Sequence, residues 1–263
     1  MSVKARIKHA FAKASESYDQ SAELQRRVGT ELIRRLGVVN ENARILDLGS
    51  GTGFISQMLI EKSKANAEQI VALDIALPML KKSRQKLNCS DKVNYLCADG
   101  ECLPFQEAVF DLVISNLAFQ WFHRPELTLR DIKRSLKPNG RLLLSTFGCG
   151  TLNELRNAWR FVDQHEHVNR FLALKDMAEL LENVGFCDVE IETEQTLSTY
   201  VSVMELLSEL KQLGAQTVIS GQRQQLTLKS SLTKMINCYE PDEQGFIPAT
   251  YEIIYVSASV QQN

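Results

Sequence analysis

The run Ile45-Leu46-Asp47-Leu48-Gly49-Ser50-Gly51-Thr52-Gly53 sets an aspartate and then three alternate glycines directly after a short apolar segment. Glycine removes the Cβ that would hold a ligand off the backbone, and it permits a tight strand-to-helix turn. The first amides of the following helix are then free to face a ligand. Spacing narrows the chemistry. A dinucleotide turn reads G-x-G-x-x-G, and counted from Gly49 its third glycine would fall at position 54, which is Phe54. A turn of this kind also occurs with no ligand at all, so residues downstream have to decide.

Those residues lie where strands should end. Asp74 closes the apolar run 69–74, and a carboxylate there can accept from both hydroxyls of a ribose. Asp99, in Ala98-Asp99-Gly100, follows the run 93–97 and could accept from an adenine amino group. Ile75 and Met79 could flank the adenine ring. Ser115-Asn116-Leu117 closes a fourth run, and Asp47 is a candidate partner for an ammonium group, directly or through water. Taken in order, these residues make a nucleoside-type site feasible. An acid that merely caps the next helix is the competing reading for Asp74 and for Asp99.

The elements required to position them are visible as alternating periods. Strands are predicted over 45–48, 69–74, 93–97, 110–115 and 141–147, with helices over 53–62, 78–87 and 130–136, the last stopped by Pro138-Asn139-Gly140. Continuous apolar strands alternating with helices imply a parallel sheet covered on both faces, with ligands beyond the carboxyl ends of the strands. The second half reads differently. Leu152, Leu155, Trp159 and Val162 recur at helical spacing, and a helix over 174–184 leads to a sixth strand at 186–191. Helices near 203–213 and 222–236, shaped like a lid, precede a last strand around 251–256. With no linker or repeat in view, residues 1–263 are expected to form one domain. Within it, 1–40 would be a helical cover, 41–147 the ligand-binding core and 148–263 the acceptor side.

Composition excludes several classes. A formal net charge of −2 gives no overall basic footprint, which argues against nucleic acid as a main partner. The N-terminal segment and the stretch 124–170 nevertheless lean basic. Six cysteines show neither a C-x-x-C pair nor metal-ligand spacing, so no metal is expected and the thiols are read as reduced. No run approaches the ~20 apolar residues of a membrane span. The polar N-terminus lacks the apolar centre of a signal peptide. A cytoplasmic chain without membrane contact is the expectation.

Asp47-Leu48-Gly49-Ser50-Gly51-Thr52-Gly53 resembles motif I of the class I S-adenosylmethionine-dependent methyltransferases. That resemblance implies a Rossmann-like seven-stranded, mostly parallel sheet and a cofactor site of Asp47, Gly49, Ser50, Gly51, Gly53, Asp74, Ile75, Met79, Asp99, Gly100, Asn116 and Leu117. A narrower resemblance lies outside this core. Segments 17–25, 115–121, 150–159, 167–172, 210–215 and 248–251 are similar to those of the malonyl-acyl-carrier-protein O-methyltransferases of biotin synthesis. The turn Gly148–Gly150 with Cys149 departs from that family's pattern, and the region around Gln222 carries no signature of it.

The implied reaction is methylation of the free carboxylate of a malonyl thioester, carried on acyl carrier protein or coenzyme A. By the same resemblance, Tyr18 and Gln25 would close over the cofactor. Arg170 would orient the carboxylate through its planar fork. An acidic carrier could dock on Arg156 and Arg160, or on Lys133, Arg134 and Lys137, although solvated helix faces would look the same. His123, His165 and His167 read as structural or surface groups. Other readings stay open: methylation of a different carboxylate or of a quinone-type ring, or a cofactor-binding protein without catalysis. A dinucleotide oxidoreductase is disfavoured by Phe54.

Overall fold

Segments rich in Val, Ile and Leu assemble into one sheet because strands buried on both faces satisfy continuous apolar runs. The computed structural model describes residues 2–40, 42–62, 69–215, 218–219 and 228–261. It opens with three helices, α1 (Val3–Ala14), α2 (Tyr18–Ser21) and α3 (Glu23–Arg35). The alternating part follows: β1 (Ile45–Leu48), α4 (Phe54–Lys62), β2 (Ile70–Asp74), α5 (Leu77–Lys86), β3 (Val93–Cys97), β4 (Phe110–Asn116), α6 (Pro125–Ser135) and β5 (Leu136–Phe147). The remainder comprises α7 (Asn153–Arg160), α8 (Leu174–Val184), β6 (Cys187–Tyr200), α9 (Val203–Gln212), α10 (Lys229–Asn237) and β7 (Ile247–Ser259).

The strand order is β3-β2-β1-β4-β5-β7-β6. β1 to β5 are parallel, and β7 runs antiparallel to both of its neighbours, β5 and β6. From β1 the chain moves outward through β2 and β3, then returns to the other side of β1 as β4. That reversal makes a switch point at the carboxyl ends of β1 and β4, where open α/β sheets hold their ligands. Successive residues of β1 serve opposite faces. Ile45 joins one apolar core with Leu32, Ile114 and Leu143; Leu46 joins the other with Val113, Leu142 and Ile254.

Several boundaries differ from those the sequence predicts. α6 begins at Pro125, not Arg130, since proline suits a first helical turn. β5 starts at Leu136 and runs through Pro138-Asn139-Gly140. Asn139 adopts a positive φ of 62° and its N–H donates to Val260 at 3.0 Å, while the β4–β5 register shifts between Phe110 and Leu112. This stretch is an irregular strand start, not a turn. β6 extends to Tyr200, far past Ile191: over 192–195 this edge strand is exposed and carries Glu192 and Glu194 in place of an apolar run, before Thr196 and Tyr200 turn inward. Of the helix predicted over 222–236, residues 222–227 lie outside the described residues and the rest falls within α10. No helix among the described residues is long and apolar enough to cross a membrane.

Candidate active site

The turn after β1 stays tied to β2. Gly49 and Ser50 N–H both donate to the Leu73 carbonyl, at 2.8 and 3.0 Å. Asp74 at the end of β2 accepts from Gly51 N–H at 2.9 Å and from Ala76 N–H at 2.7 Å. One carboxylate therefore braces both the glycine turn and the start of α5. Burial pushes its pKa upward against the pull of these backbone donors.

The three glycines have positive φ but different neighbours. A Cβ on Gly51 would meet nothing within 4 Å, so this backbone is open to a ligand. On Gly49 it would lie 2.3 Å from Ala118 Cβ, and on Gly53 2.2 Å from Ser83 Oγ of α5. Gly53 thus seats the turn against α5 and lines none of the cavities below, in place of the ligand contact expected of it. Gly100 lines the main cavity, yet a Cβ there would come within 2.9 Å of the Phe122 ring. Asp47 also departs from expectation. It is 1% exposed and accepts from Ser56 Oγ at 2.6 Å, and burial raises its pKa to about 7. It holds α4 to β1 and presents no face to these cavities.

Beyond the strand ends lies a cavity of roughly 740 Å³, lined among others by Gly51, Asp74, Ile75, Met79, Asp99 and Leu117. α1 lies across it, contributing Lys4, Ile7 and Phe11, and Tyr18 of α2 adds its ring. Lys4 Nζ reaches Asp99 Oδ2 at 2.6 Å and Glu101 Oε2 at 2.5 Å. Burial alone would raise the pKa values of both acids, but the lysine outweighs it and holds them below the ordinary carboxylate range. Phe11 packs edge-on against Trp121 at 5.3 Å. For Tyr18, burial and then the charges of Asp74 and Asp19 push the phenol well above its ordinary pKa, so it stays a neutral donor. Lys4, Ile7, Phe11 and Glu101 escape the sequence reading. The first three leave a trace only in the basic lean of the N-terminal segment, and Glu101 leaves none.

At the switch point, Asn116 lines the main cavity while one donor and one lone pair of its amide are used within the protein. Its Nδ2 donates to the Gln25 carbonyl at 3.0 Å and its Oδ1 accepts from Ser145 Oγ at 2.8 Å. A Cβ on Gly29 would lie 3.1 Å from Asn116, so this glycine lets α3 approach β4. Leu117 has φ 48°, held by N–H donation to Ser145 O and Oγ at 3.0 and 3.1 Å. For an L-residue the left-handed region costs roughly 1–2 kcal/mol, and strain of this kind gathers at ligand sites. A smaller adjoining space is lined by Ser50, Gly51, Thr52, Asp19 and Gln25. Ser50 Oγ and Gln25 Oε1 are buried there with no hydrogen-bond partner among the described residues. Unmet polar atoms beside an open glycine backbone fit the charged amino-acid end of S-adenosylmethionine, as Asp74 and the Ile75–Met79 pair fit its nucleoside.

A second cavity, about 1220 Å³, touches Trp121 and Gln25 and is walled mainly by apolar side chains, including Leu155, Trp159, Phe171, Leu210 and Tyr251. A third, about 1020 Å³, lies outside it and shares Trp159, His167, Val168 and Phe171. The structure does not bring Arg170 to the main cavity. Its side chain is 82% exposed, pairs with Glu166 and lines the third cavity. The next residue, Phe171, turns inward onto Phe147 at 5.5 Å. His167 stacks on Trp159 at 3.6 Å with Nε2 2.9 Å from Asp163. No cluster of three metal-ligating side chains occurs among the described residues.

Strand order, a glycine turn at the switch point and acids at two successive strand ends define a Rossmann-like class I methyltransferase. A family model described as "Methyltransferase domain" matches residues 46–144. Phosphoethanolamine N-methyltransferase 2 of Haemonchus contortus, solved with S-adenosyl-L-methionine, shares the fold: TM-score 0.62, 18% identity, 95% of this chain and 57% of that one. The malonyl-[acyl-carrier protein] O-methyltransferase of Gallionella capsiferriformans is 38% identical over 95% of this chain and 88% of its own length. The biotin biosynthesis bifunctional protein BioHC of Cellvibrio japonicus is 37% identical over 96% of this chain, which spans 49% of it. The chain belongs to the malonyl-[acyl-carrier protein] O-methyltransferase family.

Proposed function

We propose that this chain transfers the methyl group of S-adenosylmethionine to the free carboxylate of a malonyl thioester, forming the methyl ester used in biotin synthesis. The observation that carries this reading is the reach of the similarity. It extends over 95% of the chain, and so includes α7, α9 and β7, which build the acceptor cavity. Acyl carrier protein presents the thioester, and the cytoplasm, where the unpaired cysteines stay reduced, is the setting.

When bound, the cofactor supplies a sulfonium methyl carbon, which an oxygen lone pair takes as the carbon–sulfur bond breaks onto sulfur. The chain's residues hold the reactants. Asp74 accepts from the ribose, Ile75 and Met79 flank the adenine, and Asp99 faces its amino edge. Ser50 Oγ and Gln25 Oε1 take up the amino-acid end. A malonyl carboxylate is ionised at neutral pH, so no general base is needed. Catalysis then rests on alignment and water exclusion, for which α1 and the Phe11–Trp121 contact close the site. Tyr18, neutral throughout, donates a hydrogen bond toward the reacting end. Arg170, on the outer cavity, acts on the arm of the substrate and leaves the carboxylate lone pairs free for the methyl carbon.

The test supplies malonyl-carrier protein and malonyl-CoA with methyl-labelled cofactor. Labelled methyl ester is expected. Its absence with both acceptors, while calorimetry still registers cofactor binding, would overturn the reading.

A further inference from the structure

We propose that the outer cavity is a phosphodiester site, in which Arg156 and Arg160 hold the phosphate of the phosphopantetheine arm that bears the malonyl thioester, with Arg170 at its mouth. This deepens the function proposed above and rests on it. The first argument is position. The cavity shares Trp159, His167, Val168 and Phe171 with the apolar acceptor cavity, which in turn reaches Trp121 beside the cofactor space. An acceptor whose thioester sits at Trp121 has its uncharged amide arm along the apolar cavity and its next charged group at the outer one.

The second argument is unspent positive charge. Arg156 donates to the carbonyls of Cys149, Thr151 and Asn169, each at 3.3 Å, and to Asn153 Oδ1. Arg160 donates to Asn157 Oδ1 at 3.2 Å. Among the described residues neither guanidinium is hydrogen-bonded to a carboxylate. The acids nearby are engaged elsewhere: Asp163 accepts from His165 N–H and lies against His167 Nε2, and Glu166 pairs with Arg170. Burial, and then the charge of Arg160, lower the pKa of Arg156, and the smaller opposing pulls of Cys149 and Glu166 do not restore it. A phosphodiester carries one negative charge and two free oxygens, matching the fork of a guanidinium.

In the competing basic cluster two of the three cations are neutralised internally: Arg134 pairs with Asp131 and Lys137 with Asp111 at 2.7 Å, while Lys133 donates to the Val184 carbonyl at 3.0 Å. Of the two docking faces visible in the sequence, that of α7 has two adjacent cations to spare, the other a single lysine.

The experiment uses the full chain with S-adenosylmethionine and compares the methyl phosphodiester of malonyl-phosphopantetheine with malonyl-pantetheine, which differ only in the phosphodiester group. Wild-type KM should be at least about tenfold lower for the phosphorylated acceptor, the scale of one hydrogen bond to a charged group. Arg156→Gln with Arg160→Gln should shrink that preference to within about twofold, with kcat on malonyl-pantetheine unchanged. Equal wild-type KM values, or a preference that survives the double substitution, would overturn the proposal. Because Arg156 also ties α7 to neighbouring loops, Arg160→Gln alone provides the check if the double variant folds poorly; an undiminished preference in it is equally fatal. A defect confined to malonyl-carrier protein would reassign the arginines to the carrier's surface and sink the phosphate assignment. Failure to methylate either small acceptor would strike the underlying function instead.

Discussion

Asp74 already uses its two oxygens on Gly51 N–H and Ala76 N–H. An ionised carboxylate offers about four lone-pair sites, so two ribose hydroxyls can be accepted without releasing either amide. Asp74→Ala should therefore weaken S-adenosylmethionine binding by about 1.5–3 kcal/mol, roughly ten- to 150-fold in Kd; an unchanged calorimetric isotherm would contradict the role. Asp47 makes a different prediction. Its folded pKa of about 7 lies above the reference 3.8, so the folded chain binds this proton more tightly than the unfolded one. The stability it contributes is full below about pH 4 and is lost as pH rises toward about 7. Urea unfolding should show the wild type losing stability relative to Asp47→Asn across that window. A difference independent of pH would remove the assignment. At this scale spacing marks the acids well, but not what each one touches: Asp74 opens on the cavity, and Asp47 is sealed beneath the turn.

Among the elements, α1 is the one whose role local sequence conceals. Its contact with the site runs from Lys4 to Asp99 and Glu101, far apart in the chain. No periodicity within the helix encodes that meeting. The lysine and Asp99 are each about one-third exposed, so that pair is worth at most about 1 kcal/mol. The Glu101 side chain is only 2% exposed, and taking the cation from a buried carboxylate costs more. Lys4→Ala is expected to speed amide exchange in α1 several-fold, to raise the cofactor dissociation rate and to lower the melting temperature. Unaltered exchange in 3–14 would show that the helix is held by its apolar face alone. The core strands were legible for the opposite reason, since parallel strands covered on both sides must read as unbroken apolar runs. β6 was legible only at its start, up to Ile191; beyond it the edge strand carries mostly exposed polar residues, and only Thr196 and Tyr200 are buried.

On the scale of the molecule, the sequence already contains the alternation that builds the cofactor half, and the structure adds how the halves join. Three adjoining cavities run from the cofactor space past Trp121 to the outer arginines. Their adjacency depends on α7, α9 and β7 meeting in space, a long-range arrangement that pattern and spacing do not specify. The same limit explains Arg170. The segment 167–172 announces itself as important, yet which of its side chains turns inward is set by packing, and Phe171 takes the inner place.

The antiparallel β7 sits between β5 and β6, and among the described residues β6 pairs with no other strand. During synthesis the five parallel strands can associate in the order in which they emerge, whereas β6 waits with an unpaired edge until β7 has been made. The cofactor-binding half can therefore organise on the ribosome while the acceptor half is still unmade. Nascent chains stalled once Phe147 has emerged would hold a nucleoside-shaped space with nothing yet built to offer it a substrate.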